Sequence, residues 1–218
     1  MAIAVERFLE IKKELDAAGV LLVAVSKKKP IEDILALYKL GQRDFGENYV
    51  QELLEKQPLL PADIRWHFIG HLQRNKVKYI AGLCSLIQGV DSLALLDEIN
   101  KQASKQHCVI DCLLQVHIAQ EETKFGFDEA ELAAVLSQIA ERKNVRVLGL
   151  MGMASFTTQE TSIRAEFRQL KSMANKFAHY FPINQTPIVS MGMSGDYSIA
   201  LEEGSTLVRI GSLLFGAR

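Results

Sequence analysis

The apolar positions of this chain keep two alternating rhythms. Short unbroken runs such as Leu21-Leu22-Val23-Ala24-Val25 read as strands buried on both faces, and between them apolar residues recur at the three- and four-residue spacing of a helix face. Strand-like runs fall at about residues 20–26, 43–45, 65–69, 85–90, 109–118, 145–151, 188–190 and 206–210. Helical spacing covers residues 3–18, 31–40, 50–56, 75–80, 93–104, 128–142, 159–180 and 197–203. Gly19 and Gly41 stop the first two helices, and Asp91 and Ser92 are placed to cap the helix from Leu93. Strands that alternate with helices predict parallel βαβ units, and eight of them predict an α/β fold closed as a single (β/α)8 TIM-like barrel, with a doubly wound open sheet as the alternative. Little chain follows Ile210, so the N-terminal helix is expected to fill the place of a last outer helix. No linker or repeat divides the sequence, and residues 1–218 are read as one domain.

Composition narrows the classes of function. A net charge of −1 offers no general attraction to nucleic acid or an acidic membrane surface. No apolar run approaches the roughly 20 residues that span a bilayer, and the start of the chain does not resemble a signal peptide. Three cysteines, Cys84, Cys108 and Cys112, are too few and too odd in number for a disulfide framework. They fit a reducing compartment, hence the cytoplasm, and read as core thiols rather than metal ligands.

Candidate chemistry gathers where the predicted strands end, which is the ligand-binding side of such folds. Lys27 follows the first buried run, where an amine that loses solvent can attack an aldehyde. Lys28 and Lys29, beside it, are expected to be solvated turn residues. Ser190-Met191-Gly192-Met193-Ser194-Gly195 follows the seventh strand and Arg209-Ile210-Gly211-Ser212 closes the eighth. Hydroxyls, glycines and free backbone N–H groups after strands seven and eight suit a phosphate. An amine opposite a phosphate cradle suits an aldehyde phosphate. Neither a serine-hydrolase elbow nor a Walker loop occurs, and His67 and His71 do not share the helix that a two-histidine metal site at their spacing needs.

Five stretches carry a resemblance over essentially the whole chain: Ala24-Val25-Ser26-Lys27, Phe45-Gly46-Glu47-Asn48-Tyr49, His67 to Gln73 with Asn75-Lys76, Ser190 to Ser194, and Val208-Arg209-Ile210-Gly211. In this order they resemble the pyridoxal-phosphate homeostasis family. The resemblance implies a barrel of the alanine racemase N-terminal domain type (fold type III among enzymes of this vitamin B6 cofactor). It implies that pyridoxal 5′-phosphate forms a Schiff base with Lys27 and that Arg209 faces the pyridine nitrogen. A guanidinium there keeps its proton and leaves the ring a weak electron sink. By the same likeness Ser190, Gly211 and Ser212 hold the phosphate, with Ser194 as a further candidate, and Asn48 lies beside the ring; no residue is assigned as catalytic and none to a metal.

The implied function is to hold the cofactor, supply it to apo-enzymes and so influence amino-acid and keto-acid pools. The implied state is a monomer or weak dimer that binds no nucleic acid and no membrane. The alternatives are a weak amino-acid racemase or decarboxylase on the same cofactor, and an aldolase-like barrel using Lys27. Two features depart from the family pattern. His117 stands where an asparagine is usual, although Lys124-Phe125-Gly126 keeps the following motif. The short basic tail of many relatives is expected to be missing after Phe215-Gly216-Ala217.

Overall fold

The computed structural model describes residues 3–121, 125–182 and 186–216. Eight parallel strands close into a barrel in sequence order. They are β1 (Leu21–Val25), β2 (Asp44–Glu47), β3 (Arg65–Phe68), β4 (Leu86–Val90), β5 (Ile110–Gln115), β6 (Val145–Met151), β7 (Ile188–Ser190) and β8 (Leu207–Ile210). Closure runs through β1 and β8, with Leu21 opposite Leu207 and Ala24 opposite Ile210. The helices are α1 (Val5–Ala17), α2 (Ile31–Lys39), α3 (Val50–Lys56), α4 (Val77–Ile80), α5 (Leu93–Lys105), α6 (Glu129–Ser137), α7 (Glu160–Lys176), α8 (Tyr197–Glu202) and α9 (Ser212–Phe215).

Alternation along each strand separates two cores. Leu22, Ala24, Phe45, Trp66, Phe68, Ile87, Cys112, Leu114, Val189 and Val208 face outward into the main core beneath the helices. A much smaller apolar cluster of Val23, Leu86, Leu113, Met151 and Leu207 lies apart from it, on the alternate strand positions that face into the barrel. Such barrels usually fill their interior with branched apolar side chains; here Asp44, His67, Gln88, Ser190 and Arg209 are also buried on strand positions of that register.

Several boundaries differ from expectation. The run 109–118 forms a strand only to Gln115, because the chain then turns to pair with its own loop, His117 N–H donating to Phe127 O and Phe127 N–H to Gln115 O. The strand starts at Ile110, so Cys108 precedes it; Cys108 and Cys84 are partly buried, and Cys112 is fully buried. The helices expected over 128–142 and 159–180 end at Ser137 and Lys176, each followed by a single 3-10 turn. A one-turn helix, α9, does follow β8, and α1 closes over it, with Ala4 N–H donating to Leu214 O at 2.9 Å. Among the described residues no helix is long and apolar enough to cross a membrane.

Candidate functional site

The loop after β1 is held from three sides. Ser26 N–H continues the ladder to Gly46 O, and Ser26 Oγ donates to Glu47 Oε1 at 2.7 Å. Lys56 Nζ donates to Ser26 O at 2.8 Å and bridges Glu47 and Glu52. Glu52 in turn accepts Lys28 N–H, and Lys28 takes a left-handed turn at φ 59°. Lys29 corrects the expectation of a solvated side chain. It is buried, with Nζ donating to Phe215 O at 3.0 Å and Gly216 O at 3.3 Å, because the turn aims it at the carbonyls that end α9. Lys28 is exposed as expected, and Lys27 is half-buried.

Lys27 opens onto a cavity of about 360 Å³ lined also by Lys29, Ser194, Arg209, Gly211 and Ser212. The ends of β1, β7 and β8 thus bring together five residues expected at the site: Lys27, Ser194, Arg209, Gly211 and Ser212. Ser194 Oγ accepts Gly211 N–H at 3.2 Å, which joins the two loops expected to share a phosphate. A Cβ on Gly211 would come within 3.3 Å of Val25 Cβ and 3.4 Å of Val25 O, so glycine keeps this wall open. Burial pulls the Arg209 guanidinium down to about 10, against a smaller upward pull from the charge of Asp196, and it stays protonated at neutral pH.

Two expected residues stand elsewhere. Ser190 lies behind the wall, fully buried, with Oγ donating to Gln88 Oε1 at 2.7 Å and accepting from Arg209 Nη1. Asn48 lines a neighbouring cleft with Gly70, His71 and Lys76. Its Oδ1 is buried without a hydrogen-bond partner among the described residues, an acceptor that a ligand could satisfy. Gly70 makes that cleft possible, since a Cβ there would lie 2.4 Å from Asn48 O. His117 Nε2 bonds Glu121 O at 2.9 Å, and Lys124 of the following motif falls outside the described residues.

Sequence reading named His67 at a strand end but did not single out Gln88 or Asp44, and the fold buries all three in the barrel interior. Gln88 and His67 carried one usable signal, a polar residue inside an apolar strand, but only the barrel shows whom they meet. The donor set of the Lys27 cavity is an ammonium, a guanidinium, hydroxyls and a glycine-lined wall. It suits a small anionic ligand bearing a carbonyl group. Among the described residues no group of three His, Cys, Asp or Glu side chains is arranged to hold a metal ion.

Comparison with known proteins identifies the family and the fold. The family described as alanine racemase, N-terminal domain, matches residues 5–218. The pyridoxal phosphate homeostasis protein of Aquifex aeolicus is 42% identical over 198 residues, spanning 90% of this chain and 86% of the relative. The human protein of that name is 38% identical over 218 residues, spanning 94% and 79%. The structure of PipY from Synechococcus elongatus, 36% identical, superposes with a TM-score of 0.91 without PLP, covering 97% of this chain and 99% of that one; with PLP bound the score is 0.88. Alanine racemase from Bartonella henselae, 17% identical with a TM-score of 0.72 over 97% of this chain and 59% of its own, shares the fold.

Proposed function

Since the chain belongs to the family of pyridoxal phosphate homeostasis proteins, we propose that it binds pyridoxal 5′-phosphate, with Lys27 as the residue that holds it, and supplies it to apo-enzymes. The single observation that carries this reading is the shared cavity of Lys27, Arg209, Ser194, Gly211 and Ser212. When bound, the cofactor supplies an aldehyde that condenses with a primary amine and a pyridine ring that withdraws electrons.

The chain's own residues determine how far that chemistry goes. Ser194, Ser212 and the backbone around Gly211 would hold the phosphate, and Lys27, on the same cavity, would supply the amine. Arg209 would offer a permanent donor to the ring nitrogen and would yield no proton to it. Asn48 meets the ligand from the neighbouring cleft, and Ser190 acts from behind Arg209. Racemisation and decarboxylation need placed proton-transfer groups beside the α-carbon. Among the described residues, those lining the Lys27 cavity include no carboxylate, imidazole, phenol or thiol, and Lys29 is committed to the carbonyls of Phe215 and Gly216. This supports holding over turnover, and a carrier over an enzyme.

The test has two arms. The loaded protein is mixed with an apo-enzyme and the recovery of that enzyme's activity is followed; it is then incubated with L-amino acids in deuterium oxide and α-proton exchange is followed. Transfer is expected, with exchange within about an order of magnitude of free pyridoxal phosphate. Turnover of roughly 1 s⁻¹ or more, inside the usual enzyme range, would make the protein a catalyst.

A further inference from the structure

An unbroken line of hydrogen bonds crosses the barrel interior. At the amino-terminal mouth, exposed Arg65 pairs with Asp44 through two bonds, Nε to Oδ1 at 2.8 Å and Nη2 to Oδ2. Asp44 Oδ1 lies 3.1 Å from His67 Nε2, and His67 Nδ1 lies 3.0 Å from Gln88 Nε2. Gln88 Oε1 accepts from Ser190 Oγ, Ser190 Oγ accepts from Arg209 Nη1, and Arg209 Nη2 donates to Gly152 O at 3.1 Å. Asp44, His67, Gln88, Ser190 and Arg209 are all at most 4% exposed.

The direction of each link follows from its neighbour. An ionised carboxylate only accepts, so His67 presents Nε2–H to Asp44, and with the donor Gln88 Nε2 facing Nδ1 that nitrogen offers a lone pair. That lone pair takes the Gln88 amide N–H, which turns the Gln88 carbonyl toward Ser190. Ser190 then spends its proton on Gln88 and offers only lone pairs to Arg209. Burial alone would push the Asp44 carboxyl up, but the hydrogen bonds from His67 and Arg65, with the charge of Arg65, outweigh it and hold it below the usual aspartate range. The line therefore starts from a fixed anion and ends on a fixed cation, and its polarity cannot reverse without stranding a buried group.

We propose that Asp44, His67 and Gln88 are positioning residues for the cofactor site, whose one-way hydrogen-bond chain fixes Ser190 as an acceptor and so sets the orientation of the Arg209 guanidinium at the cavity. The proposal rests on the binding of pyridoxal 5′-phosphate at Lys27, but its first test does not. Nitrogen-15 NMR of the wild-type protein without cofactor should show His67 as a neutral imidazole with its proton on Nε2. An imidazolium, or a proton on Nδ1, overturns the chain.

The second test uses two replacements of nearly equal size. Gln88→Met removes both links and should weaken binding of pyridoxal 5′-phosphate about tenfold, roughly the loss of one well-made hydrogen bond, and displace the visible band of the bound cofactor. Gln88→Glu still accepts from Ser190 and, by drawing a second proton onto His67 at Nδ1, keeps a donor facing an acceptor at the other link, so it should restore affinity and band toward wild type. Wild-type affinity and band in Gln88→Met, or no rescue by Gln88→Glu in a variant with a native melting profile, overturns the proposal. Should the wild-type protein take up no pyridoxal 5′-phosphate, the functional reading fails and the His67 tautomer alone decides the chain.

Discussion

Lys56 Nζ lies 2.8 Å from Glu47 Oε1, and both side chains are buried at the base of the loop that carries Lys27. Burial pushes the Glu47 carboxyl above the usual glutamate range, while Lys56 and Ser26 pull it back, and its Oε2 has no hydrogen-bond partner among the described residues. Breaking a buried pair from one side leaves an uncompensated charge and typically costs about 3–5 kcal/mol.

Lys56→Met is therefore expected to lose stability of that order at neutral pH. The sign with pH follows from linkage. A carboxyl raised in the folded state binds more protons there than in the unfolded chain, so its destabilisation sets in as pH rises above 4.5, the unperturbed value, and is full above the folded value. Without Lys56 the folded value climbs further and the penalty at neutral pH grows. Urea unfolding at pH 7 and pH 5 checks this. The deficit of Lys56→Met should shrink at pH 5; an equal deficit at both would refute the account.

Lys27 and Lys29 line the same cavity, but Lys29 Nζ is bonded to Phe215 O and Gly216 O, and this separates their variants. Lys27→Ala should abolish the visible band of the bound cofactor, and borohydride should attach the cofactor to the Lys27 peptide alone. Lys29→Ala should keep the band and instead lose about 1.5–3 kcal/mol of stability, the usual range for a hydrogen bond from a charged donor. Peptide mapping and denaturant unfolding make the comparison, and a band retained in Lys27→Ala would sink the assignment.

Arg209 keeps its proton at neutral pH, so the pyridine nitrogen of the bound cofactor is expected to be unprotonated. Arg209→Glu, in a preparation that still binds, should raise the nitrogen's proton occupancy. Nitrogen-15 shifts of labelled cofactor report this directly. A protonated ring in the wild-type protein would contradict it.

Gly70 tests how closely the strand ends are packed. The Cβ of Gly70→Ala would meet the Asn48 backbone at 2.4 and 2.8 Å, where no flexible side chain can yield. Overpacking of this kind typically costs about 1–3 kcal/mol. Gly70→Ala should lose at least that much by thermal unfolding and weaken cofactor binding through displacement of Asn48, whereas Gly195→Ala, with open space around the added carbon, should keep the stability of the wild type. Equal melting of Gly70→Ala and wild type would show that the β2–β3 rim is looser than its geometry.

Local pattern by itself determined the eight strands, the order of helices between them and the lysine that follows the first strand, because hydrophobic period and glycine or proline punctuation act within a few residues. The ends of elements were less legible. The run 109–118 shows no local reason to stop at Gln115, since the stop comes from pairing with Phe127 across the loop. The sequence also named the polar residues of the rim, but it placed Ser190 and Asn48 among the cavity residues, whereas the fold puts one behind Arg209 and the other in the next cleft. Tertiary structure alone decided the fate of Lys29, whose partners lie 186 and 187 residues away. It alone joined Asp44 to Arg209 through His67, Gln88 and Ser190, including a link that spans 102 residues. A buried polar group must find its partner wherever closure of the barrel brings one, and that requirement leaves no trace in the spacing of residues along the chain.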